Sequence, residues 1–167
     1  MKSKMSVWIS VGLLVLASLS FTNSARAADD DKKAVMNAEA QFYVALNQFF
    51  TGNLDQMKEV WSHADDVTYM GPGGGLLVGW DEVLKEWQSQ AALKLGGKVE
   101  AADVQITVGQ DIAVVSNYEN GENTNANGKT VKVSIRATNI FRKEGWKWKM
   151  IGHHTDLLPY LNGDGTN

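Results

Sequence analysis

Three residues near the end of the chain, His153, His154 and Asp156, have side chains and a spacing suited to acid–base chemistry. They end a stretch that alternates polar and apolar residues and predicts a β-strand over 146–155. Side chains of a strand point alternately to its two faces, so the two histidines must point in opposite directions. The apolar residues on the face of His154 are Trp146, Trp148 and Met150. His154 is therefore predicted to point into the core.

His154 could serve in two ways. Oriented by Asp156, it could act as the general base of a cyclase, isomerase or lyase reaction. Alternatively, it is a hydrogen-bonded core residue that closes the sheet without doing chemistry. The second role is favoured, because the sequence offers no nucleophile or obvious partner base.

Other motifs give weaker signals. The histidines and acidic residues lack the spacing of a metal site, so neither a metal nor another cofactor is predicted. Asp65 and Asp66 leave a predicted helix and are expected to be solvated. The glycine-rich run 71–75 lacks the Gly-Lys-Ser/Thr ending of a phosphate loop, and we interpret it as a turn.

Arg136 bears on the charge of any ligand. Strand alternation groups it with polar residues, namely Lys132, Ser134 and Arg142, which predicts an outward side chain. In a pocket it would instead favour a carboxylate or phosphate ligand. The aromatic residues predicted to line a pocket are Tyr43, Trp61 and Tyr69.

Hydrophobic periodicity predicts three helices and then four long strands, with one or two short strands inserted. The first helix begins at Ala34, the second follows Gly52-Asn53, and the third opens with Asp81 as its N-cap. The strands are predicted at 67–70, 76–78, 99–108, 112–123, 130–142 and 146–155. This order indicates an α+β fold with helices on one face of a curved sheet, and a deep curl would leave a cavity between them.

The first 27 residues have the layout of a secretory signal peptide, with cleavage predicted after Ala27 and export to a periplasm or beyond. We expect one domain over 28–158, no further membrane segment, and a flexible tail over 159–167. Removing the leader lowers the basic count from 16 to 13 against 19 acidic residues, a net charge of −6. Nucleic acid is therefore not an expected partner. The absence of cysteine excludes disulfides and thiol chemistry.

The chain resembles the SnoaL-like proteins of the nuclear-transport-factor-two-like (ketosteroid-isomerase-like) superfamily over 34–158. The motifs that carry the resemblance are Gly52–Asp55, His63–Val67, Gly79 and Gly145–His154. The resemblance implies a cone-shaped α+β fold. Three N-terminal helices would pack on a curved, mainly antiparallel sheet of four to six strands, enclosing a pocket, usually in a homodimer.

Three branches of the superfamily give different expectations for the site. The positions that match the three catalytic residues of ketosteroid isomerases hold Gly71, Ala45 and either Ala137 or Ser134, so the resemblance disfavours steroid isomerase activity. In the SnoaL polyketide cyclases, a pocket aspartate and histidine would correspond to Asp156 and His154. In the association domain of calcium/calmodulin-dependent protein kinase type II, matching positions put Arg136 and His154 in the pocket, while Thr155 replaces an arginine.

The resemblance and strand alternation thus disagree about Arg136, and a β-bulge would reconcile them. With preference given to the resemblance, we expect an exported homodimer that binds a small, partly apolar molecule, with an anionic group as an option. Arg136 and His154 would be its polar anchors. The alternatives are an enzyme that uses His154 as general base, and a dimerisation module without a ligand.

Overall fold

The fold consists of helices packed on one face of a curved, open six-stranded mixed sheet, as expected from the sequence. The computed structural model of the chain describes residues 8–125 and 127–162, with side-chain surroundings defined over 26–125 and 127–161. The helices are α1 (Trp8–Phe49), α2 (Asp55–Val60), α3 (Trp80–Ala92) and α4 (Pro159–Asn162). The strands are β1 (Thr68–Met70), β2 (Leu77–Val78), β3 (Lys98–Val108), β4 (Ile112–Thr124), β5 (Thr130–Glu144) and β6 (Lys147–Thr155).

Helix α1 is longer than predicted, because it begins at Trp8 and runs through the predicted cleavage point. Its sequence contains no proline and a single glycine, Gly12, so nothing in it strongly opposes a continuous helix. The residues that α1 buries recur at helical spacing and include Val35, Phe42, Ala45 and Phe49. Within the described residues, no helix is both long enough and apolar enough to cross a membrane.

Two parts of the predicted chain ends, Lys2 with Lys4 in the leader and 163–167 in the tail, lie outside the described residues. Helix α4 occupies the beginning of the predicted tail.

The start of α3 differs from the prediction. Gly79, with φ of 89°, is the N-cap, and Asp81 lies inside the first turn without making a side-chain cap. The N–H of Gly79 donates to the carbonyl of Val67 at 2.8 Å, which ties the helix start to the residue before β1. A positive φ favours glycine, so the backbone at Gly79 makes this turn.

The sheet has the order β2-β1-β6-β5-β4-β3. Four neighbouring pairs are antiparallel, whereas β1 pairs with β6 in parallel, with Tyr69 beside His153. The last strand in the sequence therefore lies inside the sheet, between β1 and β5. Helix α1 packs against β3 and β6, and α3 packs against β1 and β2.

A β-bulge in β6 reverses the predicted faces of its last residues. Phe141 pairs with Met150, but Ile140 pairs with Gly152, so Ile151 is an extra residue without a partner in β5. Before the bulge Trp148 and Met150 point inward, and after it the buried residues of the strand include His153 and Thr155. The prediction that His154 points into the core is therefore wrong. Trp146, also predicted to be buried, lies in the preceding turn and is 98% exposed.

Candidate functional site

His154 lies on the outer face of the sheet, where its side chain is exposed. Asp156 faces the same way and forms a bidentate ion pair with Arg136, with Oδ2–Nε at 2.9 Å and Oδ1–Nη2 at 2.7 Å. The guanidinium holds the pKa of Asp156 at about 2. Because Arg136 occupies both carboxylate oxygens, Asp156 is not placed to orient a catalytic histidine. The alternation argument for Arg136 is correct, and the pocket position taken from the resemblance is wrong.

His153 takes the inward position. Its Nδ1 lies 2.6 Å from Oδ1 of Asn139, and the amide nitrogen of Asn139 donates to Oε1 of Glu39 at 2.8 Å. An amide oxygen can only accept, so Nδ1 of His153 must carry the proton and Nε2 keeps its lone pair. Burial lowers the pKa of His153 to about 3, so the imidazole is neutral near pH 7.

Glu119 on β4 supplies a buried carboxyl group next to this imidazole. The hydroxyl of Tyr43 donates to Oε1 of Glu119 at 3.1 Å and accepts from the amide of Asn117 at 2.7 Å. Burial raises the pKa of Glu119 to about 7 and also raises the pKa of Tyr43. The Glu119 carboxyl can therefore hold or release a proton near neutral pH.

The distance between Nε2 of His153 and Oε1 of Glu119 is 4.0 Å. That distance would allow an ion pair, but a neutral imidazole cannot form one. It is also too long for a direct hydrogen bond, so these two atoms can be bridged by a hydroxyl group or a water molecule. The pair thus offers a proton acceptor and a titratable carboxyl to whatever lies between them.

Glu39 is the second buried carboxyl group, one helical turn before Tyr43 on α1. Burial raises its pKa to about 7, against the lowering effect of its hydrogen bond from Asn139. Its other oxygen, Oε2, has no hydrogen-bond partner among the described residues. In the described part of the core, the residues that are polar or charged and buried include two carboxylates but no lysine or arginine.

A small cavity of ≈ 30 Å³ lies between the helices and the sheet, beside this polar cluster. Glu119 and His153 contribute to its wall, and so does Tyr69, whose hydroxyl donates to Gln90 at 3.3 Å. The volume holds about two water molecules, far less than a typical ligand pocket. The described residues contain no cluster of three potential metal ligands among His, Cys, Asp and Glu.

The segment that follows β6 covers the mouth of this cavity. Leu158 and Leu161 line it together with Pro72. The N–H of Leu158 donates to the carbonyl of Pro72 at 2.9 Å, and the hydroxyl of Tyr160 donates to Asn123 at 3.3 Å. Among the described residues, these two hydrogen bonds connect the segment 157–162 to the glycine-rich turn and to β4.

The three predicted pocket aromatics are all buried, but in different places. Tyr69 lines the cavity, whereas Trp61 packs edge-on against Tyr69 and Trp87, with ring centroids 6.4 and 5.6 Å apart. Tyr43 reaches Glu119 from α1 and lines a separate groove beside β3.

The residues of the polar cluster that were not predicted as site residues from the sequence are Glu39, Asn117, Glu119, Asn139 and His153. A signal for three of them was present. Asn117 and Glu119 follow Ala113 and Val115 at alternate positions of one strand, and Asn139 lies between Ala137 and Phe141 on the apolar face of the next. Polar residues on an otherwise apolar strand face indicate a buried polar network.

Helices packed on one face of a curved, open six-stranded mixed sheet match the NTF2-like, cystatin-like fold. The family model described as a SnoaL-like domain matches residues 35–158, and the chain belongs to this family. No curated protein matches the chain significantly.

Three crystal structures illustrate the similarity. A candidate dehydratase of the NTF2-like family from Streptomyces avermitilis is 26% identical, with a TM-score of 0.69 over 78% of this chain and 97% of its own. A candidate calcium/calmodulin-dependent protein kinase type II association domain from Thiobacillus denitrificans is 28% identical, with a TM-score of 0.59 over 72% and 92%. An NTF2-like protein with a cystatin-like fold from Novosphingobium aromaticivorans is 17% identical, with a TM-score of 0.64 over 84% and 90%, and shows the fold alone.

Proposed function

We propose that the protein binds a small, neutral and partly apolar molecule between the helices and the sheet, with Glu119 and His153 as its polar anchors. The observation that carries this proposal is the 4.0 Å gap between Nε2 of His153 and Oε1 of Glu119, at the wall of the cavity. A ligand hydroxyl can donate to either atom, and a ligand carbonyl can accept from the protonated Glu119.

The charge of the site argues for a neutral ligand rather than the anionic one considered from the sequence. Glu39 and Glu119 are buried near each other, His153 is neutral, and Arg136 lies on the opposite face of the sheet. A buried anion beside two carboxyl groups would be strongly disfavoured without a cation to pair with it.

Binding requires the cavity to enlarge, because ≈ 30 Å³ cannot hold an organic molecule. The segment 157–162 is the part of the wall that can move most easily. Among the described residues, one backbone hydrogen bond to Pro72 and one side-chain hydrogen bond to Asn123 attach it to the rest of the wall.

The test is a thermal-shift screen followed by native mass spectrometry, with neutral hydroxyl and carbonyl compounds against carboxylates of similar size. Glu119→Leu removes the carboxyl group of Glu119, which includes the anchoring Oε1. Glu122→Leu, at an exposed position of the same strand, is the matched control. We expect Glu119→Leu to weaken the binding of a neutral hit about tenfold or more, and the control to leave it unchanged. Absence of any neutral hit would favour the ligand-free dimerisation module, and equal binding by both variants would refute Glu119 as an anchor.

A second candidate function is proton transfer in an isomerase or dehydratase reaction. It is favoured by the pKa of about 7 for Glu119, which suits a general acid or base at neutral pH. The similarity to the Streptomyces candidate dehydratase supports the same reaction class. In this role Glu119 and His153 replace the predicted pair of His154 and Asp156. Glu119→Gln should abolish turnover of a substrate that it still binds, and unchanged turnover would refute this function.

We also propose that the chain assembles as a homodimer through the outer face of the sheet. Tyr118 and Val114 leave apolar area exposed there, beside the ion pair of Arg136 with Asp156. The association domain among the similar structures supports assembly. Tyr118→Glu should shift the species seen by analytical ultracentrifugation from dimer to monomer, whereas Leu93→Glu, an exposed site after α3, should not. A wild-type monomer would refute the proposal.

Export remains part of the proposal. The leader over 1–27 is expected to be removed after Ala27. The mature chain would then keep only the part of α1 that follows the cleavage point. N-terminal sequencing of the protein recovered from a periplasmic or culture fraction should give Ala28 as the first residue. An intact leader on cytoplasmic protein would contradict this expectation.

A further inference from the structure

A groove of ≈ 490 Å³ runs along the outside of the core, between helix α1 and the edge strand β3. Its sides are largely apolar and open to solvent. Met36 and Val44 on α1 and Val104 on β3 are 52%, 54% and 39% exposed. The groove has the size of a small-molecule site, whereas the central cavity does not.

The geometry of the edge strand β3 at this groove disfavours pairing with another strand. The pairing of β3 with β4 shifts register between Ala102 and Gln105, and Asp103 adopts a left-handed φ of 53°. A bulge of this kind twists an edge strand and interrupts the row of free backbone groups. A compact organic molecule therefore suits the groove better than an extended peptide does.

Glu39 gives the groove a polar floor. The residue lines the groove but is only 4% exposed. Its Oε1 accepts from Asn139 on the core side, while Oε2 has no hydrogen-bond partner among the described residues. A buried oxygen of this kind calls for a donor, and a ligand in the groove could provide one.

The charges around this floor favour a cation. Tyr43, four residues along α1, also lines the groove and donates to Glu119, so a second carboxyl group lies close behind the first. The lysine at the rim, Lys98, forms an ion pair with Glu100 and so has its own partner. Neutral His153 does not compensate the carboxyl groups.

We propose that the groove between α1 and β3 is a second ligand site, which binds an organic amine by its apolar body and pairs the ammonium group with Glu39. The apolar body contacts Met36, Val44 and Val104, and the ammonium pairs with the carboxyl group of Glu39, which has to turn toward the groove because Oε2 is buried. This site is separate from the central cavity and does not depend on the function proposed for it.

The test uses three probes with the same chain length: octylamine, octanol and octanoate. Each is titrated into the mature protein below its micellar concentration and followed by isothermal calorimetry and amide chemical shifts. We expect octylamine to bind, octanol to bind at least about tenfold more weakly, and octanoate not to bind. Shift changes should centre on α1 and β3. Equal binding of octanoate, changes centred on Tyr69 and Trp87, or no binding of octylamine would each overturn the proposal.

Two pairs of variants locate the site. Glu39→Gln should weaken octylamine binding about tenfold, while Glu122→Gln, an exposed carboxylate on β4 outside the groove, should change it less than about twofold. Ala101→Trp should fill the groove and abolish binding, while Gln105→Trp on the same strand lies outside it and should have no effect. The second pair keeps the proposal falsifiable if Glu39→Gln fails to fold, and equal effects within that pair would refute it.

Discussion

The two faces of the sheet carry the same kinds of side chain with different chemical consequences. On the outer face, Arg136 and Asp156 form an ion pair in water, and the carboxyl group has a pKa of about 2. On the inner face, Glu119 has no cation beside it, and burial raises its pKa to about 7. The comparison shows that burial and the presence of a paired cation together decide which carboxyl group can exchange a proton near neutral pH.

The adjacent histidines provide the strongest test of this comparison. His153→Ala should lower the free energy of unfolding by about 4 kcal/mol, because it leaves a cavity beside Phe42 and leaves Oδ1 of Asn139 without its hydrogen-bond donor. His154→Ala should change it by less than about 0.5 kcal/mol. Urea denaturation measures both. Similar losses for the two variants would mean that the inner and outer faces of β6 have been assigned wrongly.

A second prediction concerns the pH dependence of stability. Glu39 and Glu119 have folded pKa values of about 7, above the ordinary value of 4.5, so each destabilises the fold as pH rises from about 5 to 7. His153 acts in the opposite direction, because its folded pKa of about 3 lies below the ordinary 6.5 and the unfolded chain gains the proton below that pH. The combined effect of the two glutamates exceeds that of His153, so the free energy of unfolding should fall with rising pH.

With about 1.4 kcal/mol per pKa unit, the net loss between pH 5 and pH 8 is about 3 kcal/mol. The free energy of unfolding in urea at the two pH values gives the measurement. The double variant Glu39→Gln, Glu119→Gln should reverse the sign, because only His153 then contributes among these three. A wild-type protein more stable at pH 8 than at pH 5 would contradict the buried, unpaired state of the carboxyl groups.

Neighbouring leucines at the cavity mouth test how firmly the inner face is closed. Leu158 is 8% exposed and lines the cavity, whereas Leu157 is 53% exposed. Leu158→Ala should lower the free energy of unfolding by about 2 kcal/mol and increase the fluorescence of a bound hydrophobic dye. Leu157→Ala should change neither by a measurable amount. Dye binding that rises equally in both variants would show that Leu158 does not close the mouth.

The smallest effect is expected on the outer face. Arg136→Ala breaks the ion pair with Asp156, yet both groups are exposed to water within one protomer, so the urea midpoint should stay within experimental error at protein concentrations that favour the monomer. A clear loss of stability would mean that this face is buried, as it would be in the proposed homodimer. The same measurement at several protein concentrations separates the two explanations, since only a dimer gives a concentration-dependent midpoint.

Sequence reasoning predicted the fold well because the fold depends on patterns repeated along whole elements. The four long strands begin and end within two residues of their predicted bounds, and alternation along β5 assigns the outward face of Arg136 correctly. The site was predicted poorly because it depends on single residues. One extra residue, Ile151, exchanges the faces to which His153 and His154 point. The local pattern of Met150-Ile151-Gly152 does not indicate this bulge.

The resemblance to known branches failed for a related reason. It placed Arg136 in the pocket by matching positions in the sequence, whereas the pairing of β5 with β4 puts Arg136 opposite Tyr118 on the outer face. Glu39 and Glu119 were missed because neither belongs to a motif. They are a charged residue on a buried helix face and a charged residue on a buried strand face, and only the assembled core brings them close to Asn139 and His153.

The parallel pairing of β1 with β6 has a consequence for how the chain acquires its structure. Tyr69 and His153 lie side by side, so the middle of the sheet stays incomplete until the last strand has been synthesised. Local contacts can form α1 and the hairpins of β3, β4 and β5 earlier, but the polar core closes last. Such a chain remains incompletely folded until β6 has left the ribosome.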